Sequence, residues 1–441
     1  MFIHSPNELD RSSTVAATGQ RIREHNSAVL LRCVWEQVRG ISRADLARTL
    51  GLSPSTVSAI ANDLLSNDLI VEDRLVRARS GRPPIFLRFN DDRFVILGVE
   101  IGGSHLSCVR TNMRGTIEHH VSEDFDVHNE PEATLERVAE MLTDMLTHVD
   151  PERRRVGIGV AVPSPLDTDT PGRLNARILP AWADVDLGRW LYDRFGLPVL
   201  LDNDANLGAL AEAWWGAGRG LSCFTYVKVA TGVGAGHIID GEIFRGSNGI
   251  AGEIGHCAVT SKGRPCRCGL TGCLEAESSS QAILAKAQER LSEASLPSSL
   301  SADEITIGNL VEAANAGDPL ATEVIADAGY HLGIAMANLV SLLNPARVIL
   351  GGHITMAGDL LLRPVRRAMA DRALQTNLEG TEVRVTELRP GAVARGAATL
   401  VLRWALDNAH VLVGASPHVT QQEGSRPRAS TRLLTSQPSL R

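Results

Sequence analysis

Two similar stretches lie about 130 residues apart in the chain, and this repeat limits the possible folds more than any other feature. FVILGVEI (94–101) is an apolar strand that leads through Gly102-Gly103 into a second strand, HLSCVR. CFTYVKVA (223–230) leads through a glycine-rich turn into the strand HIIDGEIF. The alternation with helical patterns predicts a duplicated α/β unit whose two lobes face one cleft. Helices are predicted over 131–148, 205–214, 319–343, 358–374 and about 391–409, the last of them packing back on the first lobe.

Residues 20–93 follow a different pattern, which is typical of a helix-turn-helix. Ala47, Gly51 and Val57 supply a small residue where two helices cross, a residue for the tight turn, and a branched residue that packs the second helix on the first. An ordinary pair of packed helices is the alternative. The exposed face of the second helix carries small polar side chains that can reach base edges or phosphates, namely Ser55, Thr56, Ser58 and Asn62.

An arginine-rich loop follows the helices. The stretch 74–90 holds five arginines and no acidic residue, and its segment from Ser80 to Pro84 is too rich in proline to be helical. An extended segment with Arg79 and Arg82 suits a narrow minor groove, where the potential is most negative. A solvated basic loop is the alternative. Combined with the helix-turn-helix, the loop predicts a winged helix that binds DNA, although the whole chain has a net charge of −7.

Four residues within a short segment have the composition of a metal site. Three thiols and one imidazole make a complete tetrahedral set for zinc, and nearby glycines permit tight turns. Since no ligand position is left open, the predicted role is structural. Unmetallated core cysteines are the alternative. The predicted ligands are His256, Cys266, Cys268 and Cys273.

Three carboxylates are candidates for binding a sugar. Asp204 follows an apolar strand at a helix start, where a carboxylate could deprotonate a sugar hydroxyl or simply cap the helix. Glu253 and Glu275 flank the predicted metal ligands, so the metal loop would hold both near one site; a surface charge pair is the alternative. The two glycine turns could cradle phosphates through backbone N–H groups, but such turns are also common structural devices.

These motifs together resemble the ROK family (repressors, open reading frames and sugar kinases). The matching segments are Asn203-Asp204-Ala205, RGSNGIAGEIGH (245–256) and the Cys-x-Cys-Gly-x-x-Gly-Cys-x-Glu run that ends at Glu275. The resemblance covers about 20–405. It implies a two-lobed, actin-like ATPase fold of the sugar kinase type. Members with an N-terminal winged helix are typically sugar-responsive transcription factors, and members without it are typically sugar kinases.

The resemblance also implies roles for single residues. Asp204 matches the catalytic base of the kinases. The four predicted metal ligands match the zinc ligands of the family. The sugar contacts of the family match Asn203, Asp204, Glu253, His256 and Glu275.

Three positions depart from the family pattern. Glu100 stands where the first phosphate turn usually begins with Asp, and Ala230 replaces the first Gly of the second turn. A side chain at the second position would crowd a phosphate that approaches the backbone. Both changes argue against ATP and Mg²⁺ as cofactors. Ser164 replaces a Gly near the expected sugar pocket and makes the identity of the sugar harder to predict.

The sequence therefore predicts a cytoplasmic, sugar-responsive transcriptional regulator, a repressor, that binds operator DNA as a homodimer or homotetramer and a sugar or sugar phosphate in its cleft. An ATP-dependent sugar kinase that uses Asp204 as its base is the main alternative; a head that docks protein is a weaker one. The longest apolar stretch is too short to span a membrane. The predicted boundaries are a disordered arm over 1–19, the winged helix-turn-helix over 20–93, the first lobe over 94–204, completed by the last helix, the second lobe over 205–390 with a zinc loop at 256–275, and a disordered tail over 411–441.

Overall fold

The computed structural model describes residues 2–4, 18–74, 85–166, 174, 179–293, 295–388 and 391–414. The strands run, in chain order, over Phe2–His4 (β1), Ile41–Ser42 (β2), Ile70–Arg74 (β3), Ile85–Phe89 (β4), Phe94–Ile101 (β5), His105–Thr111 (β6), Ile117–Asp124 (β7), Arg154–Val162 (β8), Val199–Asn203 (β9), Phe224–Val229 (β10), Val233–Ile239 (β11), Glu242–Phe244 (β12), Arg347–Gly351 (β13) and Glu382–Val385 (β14). The α-helices run over Thr18–Glu36 (α1), Arg43–Leu50 (α2), Pro54–Ser66 (α3), Pro131–Thr147 (α4), Leu187–Phe195 (α5), Asp204–Trp215 (α6), Leu274–Ser278 (α7), Ser280–Ser292 (α8), Ile307–Asn315 (α9), Pro319–Leu343 (α10), Asp359–Ala370 (α11), Gln375–Glu379 (α12), Ala392–Asp407 (α13) and Ala409–Gly414 (α14).

The N-terminal head is a winged helix-turn-helix, as predicted. Gly51 ends α2 in the left-handed region (φ 65°), and its N–H donates to the carbonyl of Ala47, so the turn before α3 needs a residue without a side chain. Val57 is fully buried between the helices. Ser53 caps α3 by accepting from the Thr56 N–H. Strands β2, β4 and β3 form the antiparallel sheet of the wing.

The predicted duplication is present in the strand order of the two lobes. In the first lobe the order is β1-β9-β8-β5-β6-β7, and in the second it is β12-β11-β10-β13-β14. Each sheet contains an antiparallel meander (β5-β6-β7 and β10-β11-β12) whose first strand also pairs in parallel with a later strand, β8 or β13. The glycine turns after β5 and β10 therefore take equivalent places, on either side of the cleft.

Helix α13 returns to the first lobe, as predicted, and its backbone lies directly on the sheet. A Cβ added to Gly98 of β5 would lie 2.0 Å from the Ala394 carbonyl oxygen, and one added to Gly159 of β8 would lie 1.9 Å from that of Ala397. These two glycines are required because the helix approaches the strands too closely for any side chain.

Two predicted boundaries are wrong at the ends of the chain. Residues 2–4 form the edge strand β1 on β9, antiparallel from Phe2–Leu201 to His4–Val199, and are therefore not part of a disordered arm. At the other end, residues 411–414 belong to α14 and not to the tail. The rest of the predicted arm up to residue 17, and the tail from 415 onward, lie outside the described residues. Among the helices that are described, none is both long and apolar enough to cross a membrane.

Candidate ligand cleft, metal cluster and DNA-binding face

The five predicted sugar contacts line one cleft between the two lobes. The cleft encloses an empty volume of about 760 Å³, part of which is open to solvent. Two cations that were not predicted, Lys228 and Arg267, also line it, together with residues of both glycine turns. The predicted residues that meet there are Asn203, Asp204, Glu253, His256 and Glu275.

Asn203 and Asp204 reach the cleft from the junction of β9 and α6. The Asn203 side-chain oxygen accepts from the N–H groups of Ala205 (2.9 Å) and Asn206 (3.3 Å), so Asn203 is the N-cap of α6. Asp204 is therefore not the N-cap, and the alternative prediction that its carboxylate simply caps the helix is wrong. Because its oxygen is engaged in the cap, Asn203 can offer a ligand only its amide N–H groups.

Lys228 of β10 connects the two lobes beneath the cleft. Its Nζ donates to Oε1 of Glu100 and to Oδ2 of Asp204, each at 2.7 Å. Burial raises the pKa of Glu100, but the ammonium of Lys228 and the ring of His105 outweigh it and lower that pKa to about 2. Burial likewise opposes the charge on Lys228, and the two carboxylates outweigh it and raise the pKa of Lys228. Glu100 and Lys228 are therefore a charged, buried pair at neutral pH, and Lys228 also bonds the half-buried Asp204.

Glu275 is held between the metal loop and the second glycine turn. Its Oε2 accepts from the backbone N–H of Val233 (3.1 Å), and its Oε1 accepts from Nε of Arg267 (2.8 Å). Glu253 lies on the other side, where burial and the nearby carboxylates of Asp204 and Glu275 raise its pKa. These acids present several oxygens to one space, which suits a ligand with several hydroxyl groups.

The four predicted metal ligands form one cluster. The ligand atoms of His256, Cys266, Cys268 and Cys273 all lie within 4.8 Å of one another. The sulfurs of Cys268 and Cys273 are 3.7 Å apart, as are Sγ of Cys266 and Nδ1 of His256. A tetrahedral ion with bonds of about 2.3 Å needs ligand atoms about 3.8 Å apart, so the donor set fits zinc in type and in spacing. The other ring nitrogen of His256, Nε2, faces Glu253 at 3.9 Å, on the cleft side.

The two glycine turns touch each other across the cleft. A Cβ added to Gly103 of the first turn would lie 2.1 Å from Oγ1 of Thr231 in the second turn. In the second turn the N–H of Val233 is already bonded to Glu275. Ser164, the third departure from the family pattern, is buried behind the cleft wall, where its hydroxyl donates to the carbonyl of Pro165 (2.9 Å). The two turns are therefore in contact at Gly103 and Thr231, and one N–H of the second turn is engaged within the protein.

The predicted DNA-contacting residues of the head are only partly described. Ser55 lies exposed on α3, while Thr56 and Ser58 are half-buried. The hydroxyls of Ser55 and Thr56 each lie 2.8 Å from Oγ of Ser53, so they begin α3 as a linked group. Arg79 and Arg82 lie outside the described residues.

Arg43 was not predicted as part of the DNA-binding face, but it connects the helices of that face with the wing. It donates to Oδ1 of Asn62 on α3 (3.0 Å) and to Glu72 on β3 (3.1 Å). It thus joins the start of α2 to the helix and to the wing, and its charge is partly balanced by Glu72.

Sequence reasoning missed Lys228 and Arg267, because Lys228 belongs to no motif and Arg267 occupies a variable position of the Cys-x-Cys run. The rarity of lysine was the available signal: the chain has three lysines, and two of them, Lys228 and Lys286, are buried among carboxylates.

Comparison with known proteins identifies the family. The ROK family matches residues 96–403, and the winged helix-turn-helix DNA-binding family matches residues 30–71. The chain belongs to the ROK family. It is 29% identical over 385 residues to a xylose repressor of Caldicellulosiruptor bescii, covering 86% of this chain and 96% of that protein. It is 34% identical over 317 residues to a glucokinase of Halalkalibacterium halodurans, covering 70% of this chain and 95% of the kinase.

A solved structure supports the same assignment for the full length. It is a ROK family transcriptional regulator described as a homologue of the E. coli Mlc protein, with a TM-score of 0.76 and 28% identity, covering 89% of this chain and 100% of that one. Matches to regulators extend through the head, whereas the match to the glucokinase is confined to about the length of the two lobes. The fold predicted from the resemblance, a winged helix-turn-helix on a two-lobed body of the sugar kinase type, is confirmed.

Proposed function

We propose that this ROK protein is a sugar-responsive transcriptional repressor, which binds operator DNA through its winged helix and releases it when a sugar occupies the cleft. One observation carries the proposal: helix α6 has Asp204 of the cleft at its first residue and Trp214, near its end, against Trp35 of the head, with ring centroids 5.5 Å apart. The cleft and the DNA-binding domain therefore contact the same helix. The xylose repressor relative supports the assignment at full length.

The lining of the cleft favours a neutral sugar over a sugar phosphate. Lys228 and Arg267 are the only Lys or Arg side chains in the described lining, and each is already paired with carboxylates. A phosphate would bring about two further negative charges to a site that already holds Asp204, Glu253 and Glu275. Hydroxyl groups, in contrast, can donate to these carboxylates without a charge penalty.

The first turns of helix α6, next to Asp204, are packed closely against α13 and β11. A Cβ on Gly396 of α13 would lie 1.9 Å from the Leu207 carbonyl oxygen, and one on Gly236 of β11 would lie 2.3 Å from that of Ala205. Close-packed elements move as units because no void absorbs a displacement. A sugar that binds Asn203 and Asp204 more tightly in one arrangement of the lobes would shift α6 and, through Trp214, the head.

The cluster of His256 and three cysteines is proposed to hold a structural zinc ion. Its loop connects the two sugar-facing acids Glu253 and Glu275, so the metal would fix their separation. His256 would then bind the metal through Nδ1 and face the sugar with Nε2.

The test combines calorimetry with DNA binding. The full-length protein is titrated with D-xylose, D-glucose, N-acetyl-D-glucosamine and glucose 6-phosphate, and its operator is selected from random DNA. We expect one neutral sugar to bind at one site per chain and to weaken operator binding, and Asp204→Asn to reduce both effects. Asp193→Asn, at an exposed site on α5, is the matched control. A protein with no preferred DNA sequence, or one whose DNA affinity no sugar changes, would contradict the proposal.

A kinase remains the second candidate because the glucokinase relative matches both lobes. A coupled assay with ATP, Mg²⁺ and the same sugars distinguishes the two. The expected rate for a kinase is near 1 s⁻¹ or faster, within the ordinary range of enzymes. Turnover at that rate that disappears in Asp204→Asn would show that the protein is primarily a kinase.

A further inference from the structure

Lysine is used very selectively in this chain. Of its 44 basic residues only Lys228, Lys262 and Lys286 are lysines, and the other 41 are arginines. Lys262 is exposed, but Lys228 and Lys286 are buried, and each bridges two carboxylates. The guanidinium of arginine is planar and wide, whereas an ammonium is a compact point charge. In a chain whose default cation is arginine, a buried lysine marks a place where only a compact cation fits.

Lys228 has the surroundings of a metal ion. Its ammonium is enclosed by Oε1 of Glu100, at the end of β5, and Oδ2 of Asp204, at the start of α6, both at 2.7 Å. Enzymes that transfer phosphoryl groups commonly hold Mg²⁺ with one or two carboxylates and the phosphates of the substrate. A divalent ion would need these oxygens at about 2.1 Å, a contraction of roughly 0.6 Å on each side.

We propose that Lys228 is a built-in cation that takes the place of a divalent metal ion between Glu100 and Asp204, so that the cleft binds its ligand without metal or nucleotide. Lys228 is a positioning residue: it holds Asp204 in place for a sugar hydroxyl and occupies one of that carboxylate's oxygens. The same ammonium neutralises Glu100, the acid at the position of the first phosphate turn. The proposal deepens the proposed function and rests on it for the view that the ligand is a sugar.

The second glycine turn supports independence from nucleotide. The N–H of Val233, which could otherwise donate to a phosphate, donates to Glu275. Thr231 of the same turn lies against Gly103 of the first turn. One donor of the second turn is thus engaged within the protein, and the two turns are in contact at Gly103 and Thr231.

The experiment measures binding of Mn²⁺ alone to the full-length, zinc-loaded protein, by loss of the electron paramagnetic resonance signal of the free ion. We expect Lys228→Met to bind one Mn²⁺ per chain at least about tenfold more tightly than the wild type, because the carboxylates of Glu100 and Asp204 then lack the cation that bridges them. The double variant with Lys228→Met and Glu100→Gln should lose the added site. A merely structural lysine would not produce this pattern.

A folded Lys228→Met protein that gains no Mn²⁺ site, or a wild type that binds Mn²⁺ equally well, would overturn the proposal. Should Lys228→Met fail to fold, the wild type still decides: its affinity for the sugar found by calorimetry should be the same with and without added Mg²⁺, and a dependence on Mg²⁺ overturns the proposal. The Mn²⁺ measurement requires neither a sugar nor DNA. The Lys228 proposal can therefore be confirmed even if the protein is not a repressor, and the repressor assignment can hold even if the Lys228 proposal fails.

Discussion

The ring of Trp35, in the first helix of the head, lies 5.5 Å from the ring of Trp214, near the end of the helix that begins at Asp204. The indole N–H of Trp35 donates to the Met113 carbonyl (2.7 Å), and the guanidinium of Arg114 lies 4.8 Å from the centre of the same indole. Trp35 thus attaches the head to the first lobe through Met113 and Arg114, and through Trp214 it also contacts the helix that reaches the cleft.

Removal of this contact is expected to separate sugar binding from DNA release. Coupling free energies between sites usually correspond to about 5- to 150-fold changes in affinity. In Trp35→Ala we expect the sugar to bind normally and the operator to bind, but the sugar-induced loss of operator affinity to fall below about threefold. Fluorescence anisotropy of labelled operator, with and without the sugar, measures this.

The matched control for that variant is Trp190→Ala, a half-buried tryptophan on α5 that takes no part in the junction. It should keep the wild-type response to sugar. Equal responses in Trp35→Ala and the wild type would show that α6 and its tryptophan contact do not carry the signal.

Binding of DNA by the wing is expected to depend on Arg82. If this arginine makes a specific contact, Arg82→Ala should cost roughly 1–3 kcal/mol of operator binding, and the affinity of the wild type should fall steeply with salt. Arg367→Ala, at an exposed arginine of the second lobe, removes the same charge outside the head and serves as the control. A similar loss in both variants would mean that only the overall charge matters.

The sequence was sufficient for the elements that local patterns specify. Gly51 and Val57 predicted the helix-turn-helix because a tight turn and a packed crossing need those residue types. The clustering of His256, Cys266, Cys268 and Cys273 was predictable because the spacing of one short loop brings them together. Lys228 was not predictable, since its partners, Glu100 and Asp204, are 128 and 24 residues away and meet it only when the lobes fold on each other. Whether Asn203 or Asp204 caps α6 depends on which residue begins the helix, and sequence patterns do not resolve a helix start to a single residue.

Acid is expected to destabilise the second lobe through His237. Burial lowers the pKa of this histidine to about 4, and its Nδ1 lies 2.9 Å from the hydroxyl of Thr225. The unfolded chain therefore binds a proton near pH 6.5 that the folded protein does not, so stability is lost as the pH falls from about 6.5 to 4. His237→Gln should remove up to about 3 kcal/mol of this loss. Thermal unfolding of the wild type and of the variant at pH 7 and 4.5 measures it, with the exposed His119→Gln as control; equal losses in all three proteins would contradict the assignment.

Zinc is expected at one ion per chain, measured by elemental analysis of protein purified without chelators. Cys268→Ser should lose the ion, unfold at a lower temperature and no longer respond to sugar, because the loop that holds Glu253 and Glu275 would lose its cross-link. Cys257→Ser provides a close control, since Cys257 is an exposed thiol next to His256 in the chain and does not belong to the cluster. That variant should keep both the ion and the response. Wild-type protein without zinc, or a Cys268→Ser protein that retains a full complement, would show that the four residues are not a zinc site.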